Sequence, residues 1–498
     1  MTSILPKSTQ VLVVGGGPAG STTATLLARE GFDVTLVEKA IGPRYHIGES
    51  LLPSAMEIFD LIGVREKVEA HGFQRKEGAY LEWGSEQWTL NFGELNNNYK
   101  YSFQVRRAEL DKLLLDHASS QGVKVFEGTE IRELSFDGAR PRSASWSQVS
   151  PDGSFGEVSF DFLIDASGRS GLMATRYLQN RRNNKVFQNV AVWGYWKGAN
   201  KLNNGPEGAI GVGSIQNGWL WAIPLHDGTM SVGVVIHKTA YKKRTEKLEE
   251  FYLNAVAECP LIADLLSQAE LVSSVEAEQD YSYAAESFCG SGYFLVGDAA
   301  CFLDPLLSTG VHLATYSAML AAASIASVLR NEIAEDQALS FYESSFRQSY
   351  LRLLMMVSTL YDQKRGKEAY FREAQQLTQR DYNGSALNSA FLSLASGVED
   401  MSEAEDGIYT EDVSKKLAER LTFEQYQESL NAMKTAEHAG ATPNTQFLDA
   451  MEGMFSLSSK FSAEAAIEGF YVITKPHLGL GRTPEKVSGL SSAQLLHS

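Results

Sequence analysis

Apolar and polar residues alternate with different periods along this chain, and the changes of period mark its elements. Residues 10–14, "QVLVV", form a short β-branched apolar run that breaks at "GGGPAG" (15–20). The pattern then turns helical through "STTATLLAREG" and returns to a strand, "DVTLVE", that ends on Glu38. Strand, glycine turn, helix and second strand is the order of a parallel α/β unit. Between residues 186 and 285 the spacing shifts to two: "VAVWGYWKG", "EGAIGVGSIQNGWLWAIPL" and "TMSVGVVI" predict an antiparallel sheet with one packed face, the roof of a cavity. Within it Trp219 and Trp221 are two residues apart and point the same way. Read alone, such a pair fills a core. A further strand, "YFLVGD" (293–298), precedes "AACFLDPLLSTGVHLATYSAML", a turn feeding a long helix. Beyond about residue 336 the chain turns rich in Ala, Glu, Leu, Lys and Gln, which predicts helices, with Met355 and Met356 as core filler.

Composition narrows the picture. The 498 residues suffice for two or three interlocked domains, and 44 basic against 61 acidic residues give a formal charge of -17. That balance disfavours nucleic acid and anionic membranes as partners. Cys259, Cys289 and Cys301 show no paired spacing, which points to a reducing compartment, and "MTSILPKSTQ" has no signal-peptide core. The apolar run Leu313–Leu329 is short and carries three serines, so it reads as a buried helix and the protein as cytoplasmic. Nine scattered histidines show no metal-ligand spacing, and no metal is expected.

Two local arrangements carry chemistry. Gly15, Gly17 and Gly20 occupy G-x-G-x-x-G positions between a strand and a helix: the first permits a tight turn, the second lets backbone approach a pyrophosphate, the third lets helix pack on strand. Glu38 lies at the distance of a ribose hydroxyl acceptor. Asp298, at a strand end beside a helix start, suits either a polyhydroxyl chain or an ordinary helix cap.

Together with "FLIDASGRSG" (162–171), these segments resemble the FAD fold of the aromatic hydroxylase superfamily, and "QVRRAELDKLLLDHA" (104–118) resembles its helix whose arginine, here Arg107, contacts flavin. Ala166 and Ser167 depart from that family's commonest form. Four segments taken together resemble the flavin-dependent halogenases: "GGGPAG", "PRYHIGESLLP" (43–53), "GWLWAIP" (218–224) and "FLDPLLSTGVHLA" (302–314), with greatest likeness to the branch acting on phenolic rings such as tyrosine. "HGFQRKEGAYLEWG" (71–84) adds Lys76 where the family keeps an essential amine.

The resemblance implies a Rossmann-like FAD-binding domain (1–85, 101–185 and 286–335) interleaved with an antiparallel-sheet substrate domain (86–100 and 186–285), followed by a helical C-terminal region (336–498). It implies FAD, reduced by a separate flavin reductase, with O2 and chloride or bromide. FAD would be held by Gly15, Gly17, Ala19, Gly20, Glu38, Arg44, Ser50, Arg107, Asp298, Pro305, Gly310 and Val311, with His46 and Glu49 lining it. Halide would sit at Thr309 and Gly310, where backbone amides at a helix start offer positive potential without an acidic proton. Trp219 and Trp221 would separate the flavin from the aromatic acceptor, so that halide captures the oxidant first. Lys76 would either donate a hydrogen bond to hypohalous acid or carry the halogen as a haloamine. As one member of a charged triplet it would otherwise be a solvated surface lysine. The implied acceptor is a phenolic or tyrosyl group, carrier-tethered or in a peptide. An aromatic hydroxylase of the same fold, a prenyl-chain reductase-like flavoprotein and a noncatalytic flavin-binding protein are the rival readings.

Overall fold

The computed structural model describes residues 4–95, 99–150, 153–361, 363, 366–378, 387–406 and 469–482. Two sheets organise the chain. The first has eight strands, with the parallel order Tyr293–Leu295, Phe155–Asp165, Ser8–Val14, Val34–Glu38 and Lys124–Glu127 at its centre. Ser8–Val14 is paired on both edges, which is why residues 11–14, "VLVV", are apolar at every position. The helix Pro18–Arg29 leaves its carboxyl end and packs on the helix Thr309–Leu329. Open α/β sheets bind ligands beyond this end of the strands.

The second sheet has nine strands in the order Cys301–Phe302, Glu276–Ala285, Arg181–Lys197, Thr229–His237, Gly218–Pro224, Ile210–Ile215, Gly78–Trp83 and Glu86–Asn91, with Glu270–Leu271 paired to Arg181–Lys197. Ile210–Ile215 runs parallel to Gly78–Trp83, and the other pairs are antiparallel. Gly78–Trp83 therefore hydrogen-bonds in this sheet, whereas the expected division at residue 85 grouped it with the first.

The expectation of one packed face requires correction, because both faces are covered. Alternation sends Ala191, Trp193, Trp219, Trp221 and Ile223 to the main core, while Val190, Val192, Leu220, Ala222, Val232 and Val234 form a second core beneath the helices Leu248–Glu258 and Pro260–Leu265. Those helices interrupt residues 186–285, read from sequence as strands alone.

Thr309–Leu329 is the one described helix long and apolar enough to cross a membrane, and it is buried inside the protein. Glu335–Tyr361 continues the core with Met355 and Met356 inside it. Among the described residues three shorter helices follow, Lys367–Leu377, Leu387–Ala395 and Val398–Asp406. A hairpin, Phe470–Ile473 with Gly479–Arg482, joins these helices and docks on the long apolar helix through Leu480 N–H to Ser327 Oγ (2.8 Å). Residues 407–468 and 483–498 of that expected region lie outside the described residues.

Candidate active site

One cavity opens where the two sheets face each other, and segments from both build it. The glycine turn comes first. Gly15 has φ +112°, and a Cβ there would lie 2.2 Å from the Ala166 carbonyl oxygen; a Cβ on Gly20 would lie 1.9 Å from the Gly15 oxygen. Only glycine at both positions lets the helix begin this close to the strand. That helix starts at Gly17 without any side-chain cap, so its first amides remain available, and Gly17, Pro18 and Ala19 line the cavity. Glu38 sits at the adjacent strand end, accepting from Gly16 N–H (2.7 Å) and Ala40 N–H (2.9 Å), with Arg44 Nη2 3.8 Å away.

Arg107 is locked by a bidentate pair to Asp111 (2.8 and 3.1 Å) and donates to the Ile47 carbonyl (3.0 Å), which ties the loop 43–52 to the cavity. The Asp298 carboxyl faces the same space, pushed up to about 6 by removal from water against the pull of Arg107, Arg169 and Arg181. His46 is driven down to about 4 by burial and Arg107, so it is a neutral imidazole. An uncapped helix start, two obligate glycines, an acid at the second strand end and a fixed guanidinium fit a flavin dinucleotide.

The opposite wall is aromatic. Trp219 and Trp221 both line it, with ring centroids 6.0 Å apart and planes at 54°. Trp221 packs where a side chain at its strand partner Gly233 would stand, 2.1 Å from its ring. Trp219 Nε1 donates to Tyr361 Oη (2.8 Å), and Tyr361 donates to Asp304 Oδ2 (2.9 Å), which also accepts from Asn189 (3.1 Å). Burial pushes the Asp304 carboxyl up to about 6. Asp304 also caps the turn at Pro305 through Leu306 N–H (3.0 Å), so the indole and the start of the long helix are fixed by one carboxylate. At that start Ser308 is left-handed (φ 58°) and caps nothing, and Gly310 borders open space. Ser308, Gly310 and Val311 line the cavity; Thr309 is buried beside them.

Lys76 is 1% exposed. Its strand, Gln74–Lys76, sends Arg75 and Glu77 outward as an ion pair (3.1 Å) and Lys76 inward. The amine donates to Ser50 Oγ (2.8 Å) and the Leu51 carbonyl (2.9 Å), behind the cavity wall to which Ser50 belongs. Desolvation alone lowers it to about 7. At that value the charged and the neutral amine are both populated near neutral pH.

Residues 8–355 match the FAD binding domain family. Over 96% of its length the chain is 47% identical to a tryptophan 2-halogenase of Chondromyces crocatus, 95% of which is covered. It is 38% identical to the flavin-dependent halogenase armH2 of Armillaria mellea, covering 84% of this chain and 83% of that one. The structure of the myxobacterial chondrochloren halogenase CndH superposes with a TM-score of 0.68 at 33% identity, over 80% of this chain and 92% of that one.

The chain belongs to the flavin-dependent halogenases.

The family works with FAD, halide and O2, and membership decides against the hydroxylase, reductase and noncatalytic readings. In this halogenase the fold brings Gly17, Ala19, Arg44, Ser50, Arg107, Asp298, Pro305, Gly310, Val311, Trp219 and Trp221 to one cavity. Gly15, Gly20, Glu38 and Thr309 stand immediately behind its wall, and Lys76 stands behind Ser50. Sequence reasoning missed Trp193 and Asp304, which also line the cavity. Trp193 was discoverable, since strand alternation puts it on the face of Trp219. Histidine spacing also hid a surface cluster: His71 Nε2 and His226 Nε2 lie 2.7 and 3.2 Å from Glu109 Oε2, ligand-atom separations within reach of a metal ion.

Proposed function

We propose that this halogenase takes reduced FAD from a separate reductase, makes hypohalous acid from O2 and chloride or bromide beside Thr309–Gly310, and delivers the halogen through Lys76 to an electron-rich aromatic ring. Reduced flavin, when bound, would activate O2, which supplies the oxidising equivalent; the protein's own groups do the rest. Uncapped amides at the helix start attract halide. Trp219 and Trp221 stand as a partition that denies the ring direct contact with the flavin. The observation that carries the reading is the buried amine of Lys76, lowered by desolvation to about 7 and held at Ser50 and Leu51, so that its neutral, nucleophilic form is accessible near neutral pH. The first sheet would form the flavin unit, the second the substrate unit, with the C-terminal region beside them. Three unpaired cysteines suit a cytoplasmic enzyme.

Among acceptors, indole has specific support in the tryptophan 2-halogenase relative. A tyrosyl or other phenolic ring, free or tethered to a carrier protein or peptide, is the second reading and rests on the motif resemblance. Purified protein supplied with FAD, an NADH:flavin reductase, O2 and chloride or bromide is offered tryptophan, tyrosine and their carrier-bound forms. The expected product is a ring bearing the halogen isotope pattern. Peroxide or hydroxylated product alone would overturn the proposal.

A further inference from the structure

Glu49 lines the cavity at 2% exposure. Its Oε1 accepts from Tyr195 Oη (2.9 Å), and its Oε2 makes no bond of hydrogen-bond geometry, although the Ser231 hydroxyl sits near the carboxyl. Tyr195 and Tyr45 hydroxyls are 3.1 Å apart. Tyr195 spends its one proton on Glu49, so Tyr45 is the donor between them. Trp193 Nε1 donates to Tyr45 Oη (2.6 Å) and stacks at 7°, which fixes that orientation. Tyr45 is 56% exposed. The hydroxyls thus form a donor chain pointing from solvent to a carboxyl in the cavity.

We infer that Tyr45, Tyr195 and Glu49 are the proton path into this active site. The inference rests on the halogenation proposed above. Converting neutral reduced flavin, O2, halide ion and Ar–H into oxidised flavin, Ar–X and two waters takes up one proton, and on the aromatic wall formed by Trp193, Trp219 and Trp221 Glu49 is the acid joined to a hydroxyl chain that reaches solvent. Glu49 releases its O–H proton to the cavity, Tyr195 reprotonates Glu49, Tyr45 reprotonates Tyr195, and solvent reprotonates Tyr45. Each O–H broken is reformed, and no other reactant is needed. Burial raises the Glu49 carboxyl above its ordinary range, opposed by Ser231, Tyr195, Arg106 and Arg107, which shifts it toward the protonated form. Arg106 stands 3.9 Å from Glu49 but is engaged by Asp227 (2.7 Å).

Two measurements test the path. In cofactor-free protein at pH 7, infrared difference spectra should show a protonated-carboxyl band that vanishes in Glu49→Gln and moves in Tyr195→Phe. In the reconstituted enzyme, Tyr195→Phe and the more exposed Tyr45→Phe should each lower kcat about tenfold, leave halide KM unchanged and enlarge the solvent isotope effect. Absence of the band, or both variants turning over as wild type does, overturns the path alone. A wild-type protein that makes no halogenated ring overturns the proposed function and the path's role in it.

Discussion

Replacing Lys76 with methionine keeps the length of the side chain and removes its titration. Burial lowers the Lys76 amine from the ordinary 10.5 to about 7. That difference corresponds to about 5 kcal/mol of cost in carrying the charge inside the fold. Above pH 7 the folded protein has released this proton while the unfolded chain, up to 10.5, still holds it. The unfolded state then binds more protons, and stability rises with pH. From pH 7 to 8.5 the wild type should gain about 1.6 kcal/mol relative to Lys76→Met. Two abandoned hydrogen bonds, at Ser50 Oγ and the Leu51 carbonyl, cost the variant about 1–3 kcal/mol at every pH, so the slope and not the offset is diagnostic. Urea unfolding of both proteins at the two pH values reads it directly. Parallel pH dependences would refute the buried neutral amine. The same titration predicts that wild-type halogenation rises through about pH 7 as the lone pair becomes free.

Replacing Trp219 with Ala and Trp221 with Leu together should cut halogenated product per flavin oxidised by roughly tenfold or more, with peroxide or hydroxylated ring in its place, measured by mass spectrometry and peroxide assay. Gly20→Ala places a Cβ 1.9 Å from the Gly15 carbonyl oxygen and should cost about 3 kcal/mol, with flavin lost on gel filtration. Asp400 accepts from Ser349 Oγ (2.7 Å) and Arg352 Nη1 (3.0 Å) and pairs with His312 Nε2 (2.8 Å), all buried. Asp400→Asn breaks the buried Arg352–Asp400 ion pair and should lose about 3–5 kcal/mol in chemical unfolding.

The glycine turn was legible because its geometry is local: Gly15, Gly20 and Glu38 act within one strand-helix-strand unit. Trp219 and Trp221 were legible because strand alternation is local too. Lys76 was not legible from its neighbours. "RKE" looks like surface, and its burial depends on Gln74–Lys76 pairing with Ser102–Gln104, far along the chain. The polar network behind Trp219 joins Asn189, Asp304 and Tyr361, three residues from distant segments whose convergence only the tertiary fold creates. The helices at 248–265 did leave a signal, since Phe251, Tyr252, Ala255 and Val256 repeat at helical spacing; strands on both sides obscured it. The late hairpin likewise alternates Phe470 with Val472 and Leu478 with Leu480 on its buried face.

In the proposed function, oxidised halogen made at the flavin reaches the ring only by way of one desolvated lysine. Its most direct test is a Lys76→Ala protein loaded with FAD, fed by the reductase with halide and O2, and assayed for both ring product and flavin reoxidation. Normal flavin binding and reoxidation with no halogenated ring is the predicted result; halogenated indole or phenol at the wild-type rate would contradict it.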